Sequence, residues 1–417
     1  MTRGLTDATL AEVCSLVTDG THDTPKRVPS GFPLIKAKEI VSGQIDFASC
    51  DKISEAEHRK VIARSKPEFG DTLFTHIGAS LGAAAFVNTT REFSIKNIAL
   101  FKPNPSIIDS RYFYHIVVSP DFQSLASRTK TGSAQPFLGL SQLRSHRIQY
   151  HRDLGIQQRI AGILSAYDEL IENSQRRIKI LEAMARALYR EWFVHFRFPG
   201  HENPPRVASS LGEIPQGWEV KRLGEVAATF RGRSYRSVDL ADDGGLPFLN
   251  LKCLDRDGGF RRSGLKRYTG EFKDIHVANK GDIVMAVTDM TQERRIVARA
   301  ALVPTLDNEF GVFSMDLVRI EPKPGLPKAF LYSFLRYSSF ADEVKQHANG
   351  ANVLHLSPDR IADFRFAVPT CDLMRRFADL AAPALEEIDT LANKIDNLRR
   401  TRDLLLPRLL SGQIEVA

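Results

Sequence analysis

Residues 154–192 read LGIQQRIAGILSAYDELIENSQRRIKILEAMARALYREW, and within them Ile156, Ile160, Ile163, Tyr167, Ile171, Ile178, Leu181, Leu188 and Trp192 recur at intervals of three, four or seven. That is the period of an α-helix whose apolar stripe approaches a heptad seam. Adding 217 to each position gives Leu373, Phe377, Leu380, Ala384, Ile388, Ile395, Leu398, Leu405 and Leu409, all apolar. Unrelated amphipathic helices drift out of phase, so an ungapped match of this length predicts two copies of one helical element. The copies differ at Pro383 and Pro407, which replace Ala166 and Arg190, and at Arg402, where the first copy has Ala185. Proline removes a helical hydrogen bond, so a break near Pro383 and fraying after Pro407 are expected.

Each helical stretch follows a longer mixed segment, and these segments echo one another with gaps. Ala11-Glu12-Val13 is answered by Gly224-Glu225-Val226, Phe32 to Lys36 by Leu246 to Asn250, Gly70 to Leu73 by Gly281 to Val284, and Leu140-Ser141 by Leu356-Ser357. Short apolar runs at 84–87, 98–101, 283–287 and 364–368 sit between Gly, Pro, Asn and Asp and read as strands. Arg111 to Ala126 and Lys328 to Gln346 read as short helices beside them. The expected fold is therefore α+β. Two similar domains, 1–150 and 211–370, stand in tandem repeat, each followed by a long helix, 151–197 and 371–417. Residues 198–210, rich in proline and polar side chains, read as a linker between the copies.

At 417 residues the chain exceeds the size at which one core usually divides. Its 43% hydrophobic and 26% charged residues suit a globular protein. No apolar run approaches the roughly 18 residues that would span a bilayer, and Met1 to Asp7 is too polar for a secretory signal. No membrane association and a cytoplasmic location are expected. Cys14, Cys50, Cys253 and Cys371 lie too far apart for a zinc site or a disulfide scaffold and read as reduced thiols. The net charge of +7 suits a polyanionic partner and is spread along the chain, so a folded surface must gather any binding stripe.

Leu188 to Glu202 (LYREWFVHFRFPGHE), Ile214 to Trp218 (IPQGW) and Leu223 to Val226 (LGEV) resemble the middle of the specificity subunits of type I restriction-modification systems. Leu398 to Gly412 resembles their C-terminus, and Thr18-Asp19-Gly20-Thr21-His22 a loop near the start of a recognition domain. The resemblance follows the whole chain in its order of parts, with its specific motifs in the helices, linker and domain edges. It implies two target-recognition domains, each reading half of a split site in double-stranded DNA. It also implies helices that space the readers and dock two methyltransferase (modification) subunits, with nuclease-translocase (restriction) subunits joining for cleavage. No cofactor and no catalytic site are implied for this chain. A helix of about 40 residues would be roughly 60 Å long, more than one B-DNA turn of about 34 Å. If the halves are related by a pseudo-dyad, the two helices should pair as an antiparallel coiled coil.

Base reading needs side chains such as Arg, Lys, Asn and Gln at base edges, with phosphate contacts fixing the register. In the first domain the candidates are Thr21, His22, Lys36, Lys38, His76, Ser80, Arg128, Lys130 and Gln135, taken to lie in polar loops beside strands. In the second they are Arg231, Arg233, Tyr235, Arg236, Lys252, Arg294, Arg295, His347, Asn349 and Asn352. Taken singly, each of these reads first as a solvated surface residue, and the set carries more weight than its members. Arg261, Arg262, Lys266 and Arg267 flank Gly264 in a loop suited to phosphate contact or to solubility alone. Trp192 and Phe193 read as core, linker or partner contacts.

Several catalytic lookalikes fail. Asn203-Pro204-Pro205 opens like the motif of adenine amino-methyltransferases, but Arg206 stands where an aromatic ring would stack on a flipped base. Ser357-Pro358-Asp359 opens like a nuclease site, but Arg365 stands where lysine belongs, and a capped helix start explains it better. Gly78 and Gly82 lack the lysine and threonine of a phosphate loop, and Asp19 with His22 is too small a set for a metal or a triad. Two other readings stay open: a stand-alone DNA methyltransferase or nuclease fragment with an unrecognised site, and a duplicated coiled-coil protein adaptor.

Overall fold

The computed structural model describes residues 4–130, 136–200 and 204–416. The chain divides into two compact units, 1–172 with 396–417, and 173–395. Each unit thus takes part of both long helices.

In the first unit the opening strand Leu5–Thr9 pairs antiparallel with Arg147–His151, so the chain leaves beside its point of entry and runs directly into the first long helix, Leu154–Phe193. Between these strands lies an antiparallel sheet in the order Cys14–Asp19, Ala99–Pro103, Thr72–Phe74, Ala84–Phe86. Both of its faces are covered, which explains the unbroken apolar runs in the sequence. Side chains alternate across a strand. Accordingly Phe74 and Phe101 pack with Tyr112, Phe113 and Phe122 of the helices Ser110–Val118 and Pro120–Lys130. Leu73 and Leu100 face the other way, against Ile35, Phe93 and Ile95. That second core belongs to a smaller sheet in which Arg27–Ile35 pairs antiparallel with Asp51–Ile53 and parallel with Ser94–Ile95.

The second unit repeats this plan. Glu219–Arg222 pairs with Arg365–Val368, which feeds the second long helix, Cys371–Leu410. The central sheet runs Ala227–Arg231, Leu317–Pro322, Ile283–Ala286, Ala300–Leu302, the same order as in the first unit. Leu246–Leu249 again pairs antiparallel with one neighbour, Lys266–Tyr268, and parallel with the other, Phe310–Phe313. At the two ends of the stretch read as a linker, Arg206–Ser209 forms a hairpin with Gly212–Pro215, and Phe198 joins Ile214 and Trp218 in the core.

The long helices pair antiparallel. In the first unit Ile160, Ala161 and Leu164, near the start of one, share a core with Leu406 and Leu409, near the end of the other. In the second unit Tyr189, Trp192 and Phe193 share a core with Leu373, Met374 and Phe377, and the Phe193 and Phe377 rings lie 5.0 Å apart. Trp192 and Phe193 are therefore core residues. The seam itself is displaced from the expected one. Ile163 and its repeat partner Leu380 are exposed, whereas Leu164 and Ala381 are buried. Each helix buries a face wider than a two-helix seam because it packs on a domain core as well as on its partner.

Pro383 does not break its helix, which is continuous from Cys371 to Leu410 and passes through Pro407 as well. Pro383 lies on the exposed face, while Phe377, Ala381, Leu391 and Ile395 to either side are buried. Burying those side chains outweighs the single backbone bond that proline forfeits.

Candidate nucleic-acid interface

In the first unit three polar segments converge at one end of the central sheet. The strand Cys14–Asp19 delivers a buried carboxylate, Asp19, into the first of them. Its Oδ2 lies 2.9 Å from His22 Nε2, and its other oxygen accepts from Arg64 of the helix Glu55–Ser65. The second ring nitrogen of His22 lies 2.8 Å from Asn97 Oδ1. His22 and Arg64 are thus anchored at their polar atoms, yet both remain more than half exposed. Thr21 is half-buried and its hydroxyl accepts from the Asp23 amide at 3.1 Å, which closes the turn.

His76, from the second segment, is corrected by the structure. It was expected in an open polar loop but is 1% exposed, 4.0 Å from Asp19, with its Nδ1 bonded to the Leu138 carbonyl at 2.9 Å. Burial holds its imidazole below the usual histidine range. It therefore joins the second and third segments from the inside rather than facing outward. Ser80 is exposed, and its carbonyl accepts from the Thr75 hydroxyl. Arg128 is exposed near the end of its helix, Lys130 is the last residue of that helix, and Gln135 lies outside the described residues. Lys36 and Lys38 stand apart, just past the strand Arg27–Ile35 of the smaller sheet. Lys36 is half-buried and paired with Asp51, whose carboxyl it pulls below the usual range, and Lys38 lies 3.3 Å from Glu39.

The second unit presents the same three segments with other side chains. Arg231 and Arg236 are exposed, the latter 3.7 Å from Asp239. Arg233 is half-buried, and the Tyr235 ring packs edge-on against Phe248 at 4.8 Å. Arg294 donates to Gln346 Oε1 at 3.0 Å, and Gln292 to the Ala351 carbonyl at 2.8 Å, so the loop 288–298 is laced to the segment 345–355. Arg295 is exposed beside Glu293. His347, Asn349 and Asn352 are exposed along that segment, Asn349 held by paired backbone bonds with His355. Lys252 is exposed on a separate turn whose carbonyl accepts from Arg261 Nε. The remaining basic loop is engaged internally, Arg262 by Asp389 at 2.6 Å and Arg267 by Asp307.

Sequence reasoning missed Asp289. It is 1% exposed and accepts from the amides of Thr291, Ile296 and Val297 and from the Thr291 hydroxyl. Burial opposes its charge, but these donors outweigh it and hold the carboxyl below the usual range. The Asp-x-Thr spacing was its only local signal. Arg64 and Asn97 were missed because their partners, Asp19 and His22 respectively, are distant in sequence. Ser357 does cap the helix Pro358–Ala362, as expected. Among the described residues no group of three or more His, Cys, Asp or Glu could hold a metal ion.

Two copies of one α+β unit, each gathering three polar loop segments rich in Arg, His and Asn at one sheet end, define a tandem nucleic-acid reader. Comparison with known proteins makes this specific. The model of the type I restriction modification DNA specificity domain matches residues 5–183 and 215–373, and the chain belongs to that family. It is 26% identical over 399 residues to the type I restriction enzyme MjaIX specificity subunit of Methanocaldococcus jannaschii, covering 92% of this chain and 87% of that relative. It is 22% identical to the HindI specificity subunit of Haemophilus influenzae, over 88% of this chain and 91% of that one. Its fold matches the crystal structure of the type I restriction-modification S subunit from M. genitalium, with a TM-score of 0.62 at 15% identity over 99% and 97% of the two chains. The chain is a DNA target-recognition subunit of a type I restriction-modification system and is itself non-catalytic. The methyltransferase, nuclease and adaptor readings are not favoured.

Proposed function

We propose that each unit reads one half of a split DNA target with its three convergent segments, the recognition domains being 1–150 and 211–370 and the helices 151–197 and 371–417 serving as spacers. The observation that carries this reading is the recurrence of the same segments, at the same end of the same four-stranded sheet, in both units. Arg231, Arg236, Arg295 and Arg128 are exposed there and suit phosphate contact, while His347, Asn349 and Asn352 suit base edges. A duplicated chain offers each partner surface twice, which supports recruitment of two modification subunits, with restriction subunits joining that complex in the cytoplasm. Among the described residues no helix is long and apolar enough to cross a membrane. The test is methylome sequencing of cells carrying this chain with its modification subunit against cells lacking this chain alone. A split adenine motif that disappears with the chain supports the reading; unchanged methylation with both subunits expressed overturns it.

A further inference from the structure

The two units hold their first reading loop in one backbone frame. In the first unit the Thr21 amide donates to the Ile95 carbonyl, Asn97 donates to the Thr21 carbonyl at 3.2 Å, and Lys96 donates to the Ile35 carbonyl at 2.9 Å. In the second unit Arg233 donates to Phe313, Met315 to Arg233 and Ser314 to Leu249, each at 2.8 Å. The same parallel bridge accompanies both sets, Thr21 with Lys96 and Arg233 with Ser314. Each loop also begins on a glycine with no room for a side chain. A Cβ on Gly20 would lie 2.2 Å from the Ile95 carbonyl oxygen, and one on Gly232 would lie 2.1 Å from that of Ser314. These matches make Thr21 equivalent to Arg233, Lys96 to Ser314 and Asn97 to Met315.

Backbone is kept while side-chain chemistry is exchanged. Asp19 corresponds to Arg231, a reversal of charge, and a polar amide at 97 corresponds to a thioether at 315. A structural role would keep similar side chains in a kept frame; a reader of two different half-sites needs the opposite. Met315 is 51% exposed, an apolar side chain left in water on the turn between the strands Phe310–Phe313 and Leu317–Pro322, which its backbone bond ties to Arg233. Asn97 is the reverse case, a polar side chain fixed in place. Its backbone is left-handed at φ 54°, which asparagine tolerates, and its amide oxygen is held by His22, which Asp19 holds in turn. An amide oxygen has two lone pairs, so the contact with His22 leaves one for a base.

We infer that Asn97 and Met315 occupy one and the same base-facing position of a duplicated reading frame, Asn97 presenting an amide suited to adenine and Met315 a thioether suited to the thymine methyl. The inference rests on the proposed function, in which the segments that Asn97 and Met315 bond to, at Thr21 and Arg233, face DNA, and deepens it by naming a specificity position in each half.

The test uses the full-length chain with its modification subunit in cells, read by methylome sequencing, with the thermal midpoint of each purified variant as the folding control. Met315→Ala is expected to relax the preference at one base pair of one half-motif by roughly tenfold and to leave the other half unchanged. Asn97→Asp still accepts from His22 but cannot donate to a purine, so it is expected to shift one base pair of the other half from adenine towards cytosine. Asn97→Gly, which keeps the left-handed backbone, is expected to relax that same base pair. An unchanged motif in these variants, changes falling in the same half, or a uniform loss of methylation without altered sequence preference would each overturn the inference. If the unaltered chain confers no split motif, it is the proposed function that fails, and the two failures are told apart by that control.

Discussion

Asp289 concentrates in one side chain what the second unit's loop 288–298 needs. Its carboxylate is buried and accepts from three backbone amides and a hydroxyl, two of the amides, Ile296 and Val297, from the far end of the loop. Removing the acceptor leaves buried N–H groups unpaired, so Asp289→Ala is expected to cost about 2–3 kcal/mol in urea denaturation of the whole chain. Amide exchange at Ile296 and Val297 is expected to accelerate with it. The pH dependence has a definite sign. Because the folded carboxyl sits below its ordinary value near 3.8, its contribution is full above that value and is lost as pH falls below it. The gap between the parent chain and Asp289→Asn should therefore be constant at neutral pH and close in acid. At this scale the sequence was informative about residue types but not about partners. His22 and Thr21 were legible as loop residues, whereas Arg64 and Asn97 acquire their roles from Asp19 and His22, which no local pattern links to them. His76 misled because a histidine following a short strand gives no local sign of whether it points inwards.

Between elements, polar groups fix how helices lie on the domains. His115, on the helix Ser110–Val118, is buried with its Nε2 3.4 Å from Ser165 Oγ of the first long helix. Burial pushes its pKa down to about 3. A histidine depressed from 6.5 supports the fold fully above pH 6.5 and progressively less as pH falls from there towards 3. Stability of the first unit should decline across that window with a slope approaching about 1.4 kcal/mol per pH unit, and His115→Gln should flatten it, as read from denaturation midpoints at successive pH values. Arg402, the polar residue out of pattern in the second helical copy, is answered at 2.5 Å by Asp168 of the first helix, a pair that fixes the register of the helices there. Pro383 makes a separate prediction. Its helix is already continuous and its ring exposed, so Pro383→Ala restores a backbone hydrogen bond without disturbing the core. A gain of about 1–3 kcal/mol should appear as a higher thermal midpoint; no gain would mean that the helix bends at this point to fit its neighbours. The existence and phase of both long helices were legible in the sequence because periodicity reports burial directly. The displaced seam at Ile163 and Leu380 was not, since it depends on which domain surface each helix also covers.

At the scale of the whole molecule, each unit closes its own apolar cores. Phe74, Tyr112 and Leu164 belong to the first, and Phe330, Ile320 and Phe377 to the second. The duplication visible in the apolar repeat extends to strand order, to the pairing of first and last domain strands, and to the backbone bonds at Thr21 and Arg233. What the sequence left obscure was the loop equivalence, because insertions shift the numbering and the side chains at matched positions share no chemistry. Two kinds of substitution should then behave differently. Arg236→Ala with Arg295→Ala removes exposed cations that suit phosphate, and is expected to weaken binding to any duplex and to reduce the slope of log affinity against log salt by about 1–2. Exchanging residues 215–370 for the corresponding segment of a relative with a different target replaces one set of reading loops while keeping the frame into which they fit. The expected outcome is a hybrid methylation motif, one half unchanged and the other taken from the donor. That result requires the halves to be read independently, which follows only if neither set of loops depends on the other for its shape. A motif altered in both halves would show that the readers are coupled and that the separate cores do not confer separate recognition.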